Sequence, residues 1–259
     1  MSRIEPPNRE PIIAVRHFTA GYDDSVLLED LSFDIFPGEV FVILGTSGSG
    51  KSTLLKHMIG LYQPLRGSIL IEGKDIVTAQ DQQRLDILMR IGVMYQQGAL
   101  FGSMTILENV RLPLEEYTDL PDDAIDRLAL MKLQLVGLGA AAHKLPDEIS
   151  GGMKKRAAIA RAMALDPPIL FLDEPSAGVD PITSAGLDQL ILSLARNLKI
   201  TFVVVTHELP SIEMIADRVI MLDKRTRSII AEGRPGDLRD HSENPWVRQF
   251  FHREAGVAG

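Results

Sequence analysis

The chain contains no cysteine. Disulfides and thiolate metal centres are therefore excluded, and the composition suits a reducing compartment such as the cytosol. Long apolar runs are missing too. Stretches such as Thr201-Phe202-Val203-Val204-Val205 fall far short of the ~20 residues a membrane-spanning helix needs. The opening residues Met1-Ser2-Arg3-Ile4-Glu5-Pro6-Pro7 lack the apolar segment of a secretory signal, and Ser2 stands where N-myristoylation requires glycine. Work at a membrane is thus expected to need another chain as anchor. Basic residues are in deficit: 27 Lys and Arg against 35 Asp and Glu leave a formal charge of −8. That argues against a nucleic-acid platform, although solubility is its simpler meaning. Five histidines, His17, His57, His143, His241 and His252, show no metal-ligand spacing and read as surface or packing residues.

What is present is ordinary globular material, 45% apolar and 24% charged over 259 residues, enough for one large α/β domain or two small ones. Residues 1–11 are polar and proline-rich and read as an arm. Ile12 to Phe18, Leu31 to Ile35, Val40 to Leu44, Ser68 to Ile71 and Ile91 to Tyr95 read as strands. From Thr105 to Leu145 the pattern turns helical, most clearly over Asp122 to Leu135. Strands return at Ile169 to Leu172, Thr201 to Val205 and Arg218 to Leu222, separated by expected helices at Met153 to Leu165 and Pro181 to Leu198. Such alternation predicts a mainly parallel sheet with right-handed crossovers, and a helical subdomain inserted at about 98–150.

Directly after the run Val40-Phe41-Val42-Ile43-Leu44 comes Gly45-Thr46-Ser47-Gly48-Ser49-Gly50-Lys51-Ser52, with a helix expected over Lys51 to Gly60. Strand, glycine-rich turn and helix together form the setting of a phosphate-cradling P-loop. Glycines allow backbone N–H groups to converge on an anion that any Cβ would hold off. Lys51 would reach the β- and γ-phosphates and Ser52 would ligate Mg²⁺, so residues Gly45 through Thr53 predict a nucleoside-triphosphate site.

A second apolar run, Ile169-Leu170-Phe171-Leu172, delivers Asp173-Glu174 to a strand end, where ligands of parallel sheets bind. Asp173 would hold Mg²⁺ and Glu174 would polarise the attacking water, whereas an acidic turn that merely ends a strand is the plainer alternative. Ser150-Gly151-Gly152 precedes a helix, which reads either as a second anion cradle or as a simple N-cap at Ser150.

The P-loop, Ile149-Ser150-Gly151-Gly152-Met153, Asp173-Glu174 and a histidine after the next strand, His207, together resemble the ATP-binding-cassette (ABC) ATPases over residues 12–240. The resemblance implies a P-loop NTPase fold of the ABC type, with an N-terminal antiparallel β subdomain and an inserted α-helical subdomain. It also implies roles for single residues. Tyr22 would stack on adenine, and Gln96 would sense Mg²⁺ and the γ-phosphate. Asp180 would lie in the loop linking two subunits' sites, and His207 would contact the γ-phosphate. Catalysis would then rest on Glu174, His207, Gln96 and Lys51, with Mg²⁺ at Ser52, Gln96 and Asp173. Ser150, Gly151 and Gly152 would close on ATP held by a second copy, so two ATPs would be sandwiched in a head-to-tail homodimer. Ile149 and Met153 depart from the commonest signature, Leu-Ser-Gly-Gly-Gln, but the Ser-Gly-Gly core is intact.

Three segments, Tyr95-Gln96-Gln97-Gly98-Ala99-Leu100-Phe101, Ser150 to Ala158 and Gly178-Val179-Asp180-Pro181-Ile182-Thr183-Ser184, are similar to ATPases of the Mla/MCE lipid-transport systems. That similarity implies phospholipid as cargo, an integral-membrane permease and an MCE-domain lipid-binding protein as partners, a small accessory subunit, and a peripheral position on the cytoplasmic face of the inner membrane. The alternatives are an importer ATPase for a polar solute and a soluble, non-transport ABC ATPase. Against the latter, no sustained heptads separate Lys51 from Ser150 and only one cassette is present. In the C-terminal tail, 241–259, the segment Asn244 to Phe251 holds the only tryptophan beside two phenylalanines. It reads as a short helix packed on its own domain or as a contact with another chain.

Overall fold

The computed structural model describes residues 10–22 and 25–253, the side chain of Tyr22 excepted. The expected arm therefore lies mostly outside the described residues. Two sheets carry the fold. The strands are β1 (Ile13–Tyr22), β2 (Ser25–Ile35), β3 (Val40–Gly45), β4 (Arg66–Ile71), β5 (Lys74–Asp75), β6 (Ile91–Met94), β7 (Ile169–Asp173), β8 (Thr201–Val205), β9 (Arg218–Asp223) and β10 (Ser228–Gly233). The helices are α1 (Lys51–Met58), α2 (Asp81–Leu88), α3 (Ile106–Tyr117), α4 (Asp122–Leu135), α5 (Gly151–Ala162), α6 (Pro181–Leu198), α7 (Leu209–Ile215), α8 (Pro235–His241) and α9 (Pro245–His252).

The apolar runs of β3, β7, β8 and β9 cannot leave one face to solvent, and they do not. In the six-stranded sheet, ordered β10-β9-β3-β8-β7-β6, only β10 runs antiparallel to its neighbour. Alternate side chains feed two separate cores. Val42, Leu172, Val204 and Met221 enter one with α3, α4, α5 and α6. Ile43, Phe171, Val205 and Leu222 enter the other, shared with α1 and the four-stranded antiparallel sheet β2-β1-β4-β5. Sandwiching the parallel sheet in this way leaves its C-terminal edge as the one rim where loops can gather around a ligand. The expected fold class is borne out.

Between β6 and α5 the chain is helical. α3 starts on a capping box, with Thr105 Oγ1 accepting from Glu108 N–H and Glu108 Oε2 accepting from Thr105 N–H. Several elements lay outside the sequence reading: β5, α2, α7, β10 and α8. Of α2 only Ile87 is buried, so it has no apolar stripe to betray it. Strands β1 and β2 run longer than expected because their outer halves carry polar residues around register shifts. Helix α5 starts two residues earlier and ends three earlier than expected, so Gly151 and Gly152 belong to its first turn. The C-terminal α9 buries Val247 and Phe251 against the core around α8, as the intradomain reading held.

Close approach of β6 to α5 depends on Gly92, where an added Cβ would collide with the Ala162 carbonyl oxygen and crowd Leu170. Gly92→Ala should therefore lower stability by about 1–3 kcal/mol, read as a reduced urea midpoint at unchanged m-value.

Candidate active site

β3 ends at Gly45, and the turn that follows needs backbone angles that side chains resist. Gly48 and Gly50 sit at φ of 76° and 95°. A side chain at Gly50 would also meet Leu28 of β2 at 2.8 Å, so the antiparallel sheet forms the floor beneath the turn. α1 then opens at Lys51 with no side-chain capping bond. Its free N–H groups and positive dipole end point back over the turn, an anion site by construction. Lys51 Nζ donates to the carbonyl oxygens of Gly45 (2.8 Å) and Thr46 (3.1 Å). Burial draws this ammonium below the ordinary lysine range, while Glu174 and Asp173 oppose the shift. Thr46, Ser47, Gly48 and Ser52 are exposed, and Thr53 and Ser49 are buried. Ser49 Oγ has no hydrogen-bond partner.

β7 brings the acidic pair to the same edge. Glu174 adopts φ of 47°, a strained setting for a residue with a Cβ. It is fixed from several sides: its N–H donates to Val205 O at 2.8 Å, and its Oε1 lies 2.8 Å from His207 Nδ1. An ionised carboxylate can only accept, so Nδ1 carries the hydrogen in that pairing. Glu174 is 8% exposed and its Oε2 is unpartnered, as is Asp173 Oδ1. Burial raises the Asp173 pKa first and the Glu174 charge second, against Lys56, Lys51 and Lys155. Buried carboxylate oxygens without donors are costly. The unpartnered Asp173 oxygen and the exposed Ser52 hydroxyl are hard oxygen donors of the kind Mg²⁺ takes. Among the described residues no three His, Cys, Asp or Glu side chains converge on a metal position, so a cation here would draw its other ligands from bound phosphates and water.

The remaining expected residues fall into two places. Gln96 is exposed two positions beyond β6, beside the acidic pair through a shared contact: the buried Lys155 ammonium donates both to Gln96 O and to Glu174 O (3.4 Å). Ser150, Gly151 and Gly152 start α5, where Ser150 Oγ accepts from Met153 N–H at 3.3 Å. The simple N-cap and an exposed, anion-ready helix start are thus the same structure. Asp180 caps α6 next door, accepting from the N–H groups of Ile182 (3.1 Å) and Thr183 (3.0 Å), while Gly152 abuts the Thr183 side chain. The stacking role given to Tyr22 lies outside the described residues.

Sequence reasoning missed Lys155, Lys56 and Ser176, the last a buried hydroxyl without a partner just beyond Glu174. Lys155 did leave a signal. It stands on one helical stripe with Ala158, Ile159 and Ala162, an apolar face on which a lysine is out of place.

Comparison with known proteins agrees with this geometry. Residues 28–177 match the family model described as ABC transporter. The chain belongs to the ABC transporter family. It is an ATPase of that family and binds ATP. Among curated proteins it is similar to the Haemophilus influenzae intermembrane phospholipid transport ATP-binding protein MlaF, 38% identical over 94% of this chain and 91% of that one. The Escherichia coli K12 MlaF is 40% identical over 90% and 85%. A probable ribonucleotide transport ATP-binding protein of Mycobacterium leprae is 42% identical over 100% of this chain and 75% of that protein. Among solved structures, a dimeric cassette in a post-hydrolysis state with ADP and phosphate aligns at TM-score 0.78 and 31% identity, covering 86% of this chain and 98% of that one. The cbiO1 protein of Clostridium perfringens, part of an ABC transporter complex, aligns at 0.83 and 28%, covering 95% and 96%.

In this ABC ATPase the unpartnered oxygens of the acidic pair are a cost to the folded state. Asp173→Asn should stabilise the nucleotide-free protein, by about 0.5–2 kcal/mol, while weakening Mg·ATP binding. The sign with pH follows from the raised Asp173 pKa: the folded state holds the proton more tightly, so the parent loses stability as pH rises through that pKa. The variant should lack that loss in thermal scans across the acidic range.

Proposed function

We propose that this ATPase is the energising subunit of a transporter that moves phospholipid between cell-envelope membranes, acting through a separate integral-membrane permease. The observation that carries the lipid reading is the 38–40% identity to MlaF proteins over 90–94% of the chain. The ribonucleotide name of the mycobacterial relatives favours a polar solute instead, and cargo is chosen by subunits other than this one. Co-purification decides between them: an MCE-domain protein beside the permease supports lipid, and a solute-binding protein supports the second reading.

For the chemistry, Gly45 to Thr53 would wrap the phosphates, and Lys51 would leave the carbonyls of Gly45 and Thr46 for the β- and γ-phosphates. Asp173, Ser52 and Gln96 would hold Mg²⁺, which would neutralise phosphate charge when bound. Glu174 Oε2, buried and unpartnered, would take the proton of the attacking water as its oxygen bonds to the γ-phosphorus and ADP departs. His207 orients that carboxylate and would meet the γ-phosphate. Tyr22 is assigned to the adenine.

The reading includes a homodimer. Ser150, Gly151 and Asp180 are exposed, and Ile182 beside them is 85% exposed, a surface that another copy would cover. ATP bound by Lys51 of one protomer and the Ser150 helix start of its partner would hold the pair closed, and hydrolysis would release it. Among the described residues no helix is long and apolar enough to cross a membrane. We assign the chain to the cytoplasmic face of the inner membrane as a peripheral subunit, with an MCE-domain protein and a small accessory subunit as further partners. A groove of about 230 Å³ bordered by Leu88, Ile91, Val93, Tyr117 and Arg161, together with the helical block after Gln96, is the surface offered to the permease.

Glu174→Gln should accumulate ATP-bound dimers on size exclusion and lower turnover at least about 100-fold; turnover at the parental rate would remove Glu174 from the chemistry. Lys51→Ala should abolish nucleotide binding or turnover, and retained activity would remove the P-loop assignment.

A further inference from the structure

We infer that Lys155 is a positioning residue that ties the helix start serving the partner's ATP to the hydrolytic groups serving this chain's own ATP, and so couples the two sites of the dimer. This rests on the two-copy reading above.

The contacts all converge on one short segment. Helix α5 begins at Ser150, whose exposed first turn would meet the partner's nucleotide. One turn further along, the buried Lys155 ammonium donates to Gln96 O and to Glu174 O, the carbonyls of a Mg²⁺-sensing residue and of the general base. A second cation of α5, Arg161, donates to Ala99 O (2.8 Å) and Gly98 O (3.0 Å). Between them, Ala158 Cβ would lie 3.4 Å from a Cβ at Gly98, so the segment after Gln96 runs flat against the same helical stripe. From the other side Asn109 closes the loop: its Nδ2 donates to the carbonyls of Phe101, Met104 and Thr105, and its Oδ1 accepts from Phe101 N–H.

The segment 96–105 is thus fastened to α5 and α3 by side-chain donors rather than by a ladder, and α5 cannot shift without moving Gln96. Of these donors only Lys155 also reaches Glu174, the residue after β7. An ammonium has three donors, and two are spent on backbone oxygens just beyond the ends of two different strands, β6 and β7. A displacement of Ser150 by the partner's γ-phosphate is therefore transmitted to Gln96 and Glu174 through a single buried nitrogen. Coupling needs such a shared, discrete element biased by both sites.

The full-length chain, with Lys155→Met and Lys155→Arg beside it, tests this. Hydrolysis is measured against ATP concentration, and ADP affinity against dilute protein reports the intact glycine turn. The parent should show a Hill coefficient of about 2, the maximum for two sites. Lys155→Met should fall to about 1 and lose roughly 10-fold or more in maximal rate, with ADP affinity unchanged within about 2-fold. Lys155→Arg, which keeps charge and donors, should restore the sigmoid curve. If Lys155→Met stays as sigmoid as the parent, or loses ADP affinity as steeply as turnover, the inference fails while the two-copy reading stands. A parent with a hyperbolic curve and no ATP-dependent dimer overturns the two-copy reading, and the inference with it.

Discussion

Two carboxylates at the end of an apolar strand, Glu174 buried and Asp173 half-buried, set the terms for the rest of this molecule. Asp173 Oδ1 and Glu174 Oε2 have no donors, and Glu174 sits in a backbone conformation that resists its side chain. Such an arrangement persists only where surroundings over-determine it. Here the surroundings are a parallel sheet covered on both faces, with β8 gripping the Glu174 amide and the lysines of α1 and α5 offsetting charge. The side chains of the sheet alternate between two cores, and that packing keeps the repulsive pair in place.

The same logic explains why the helix starts matter more than the helices. α1 and α5 each begin at an exposed turn with glycine at or beside the cap, and each presents unpaired N–H groups. Placing both cradles over one triphosphate requires a second copy in the proposed reading. The exposed Asp180 loop and Ile182 stand next to the α5 start, where such a copy would arrive.

Legibility in the sequence followed the range of the physics. The glycine turn was readable because positive φ at Gly45, Gly48 and Gly50 disfavours other residues at three fixed positions of an eight-residue pattern. The acidic pair was readable because four apolar residues precede it on a doubly buried strand. His57, which the sequence left as a surface or packing residue, is buried edge-on to Phe18, with ring centroids 5.2 Å apart. Lys155 was not legible as a tie, since its partners are backbone carbonyls 59 and 19 positions away and a carbonyl leaves no letter in the sequence. α2 and β10 were missed because half-buried edges dilute the hydrophobic period.

The central claim is that nucleotide is gripped between protomers. A crystal structure grown with Mg²⁺ and a slowly hydrolysed ATP analogue tests it most directly. The account predicts the triphosphate between residues 45–53 of one protomer and Ser150 to Gly152 of its partner; a triphosphate enclosed wholly by one polypeptide would contradict it.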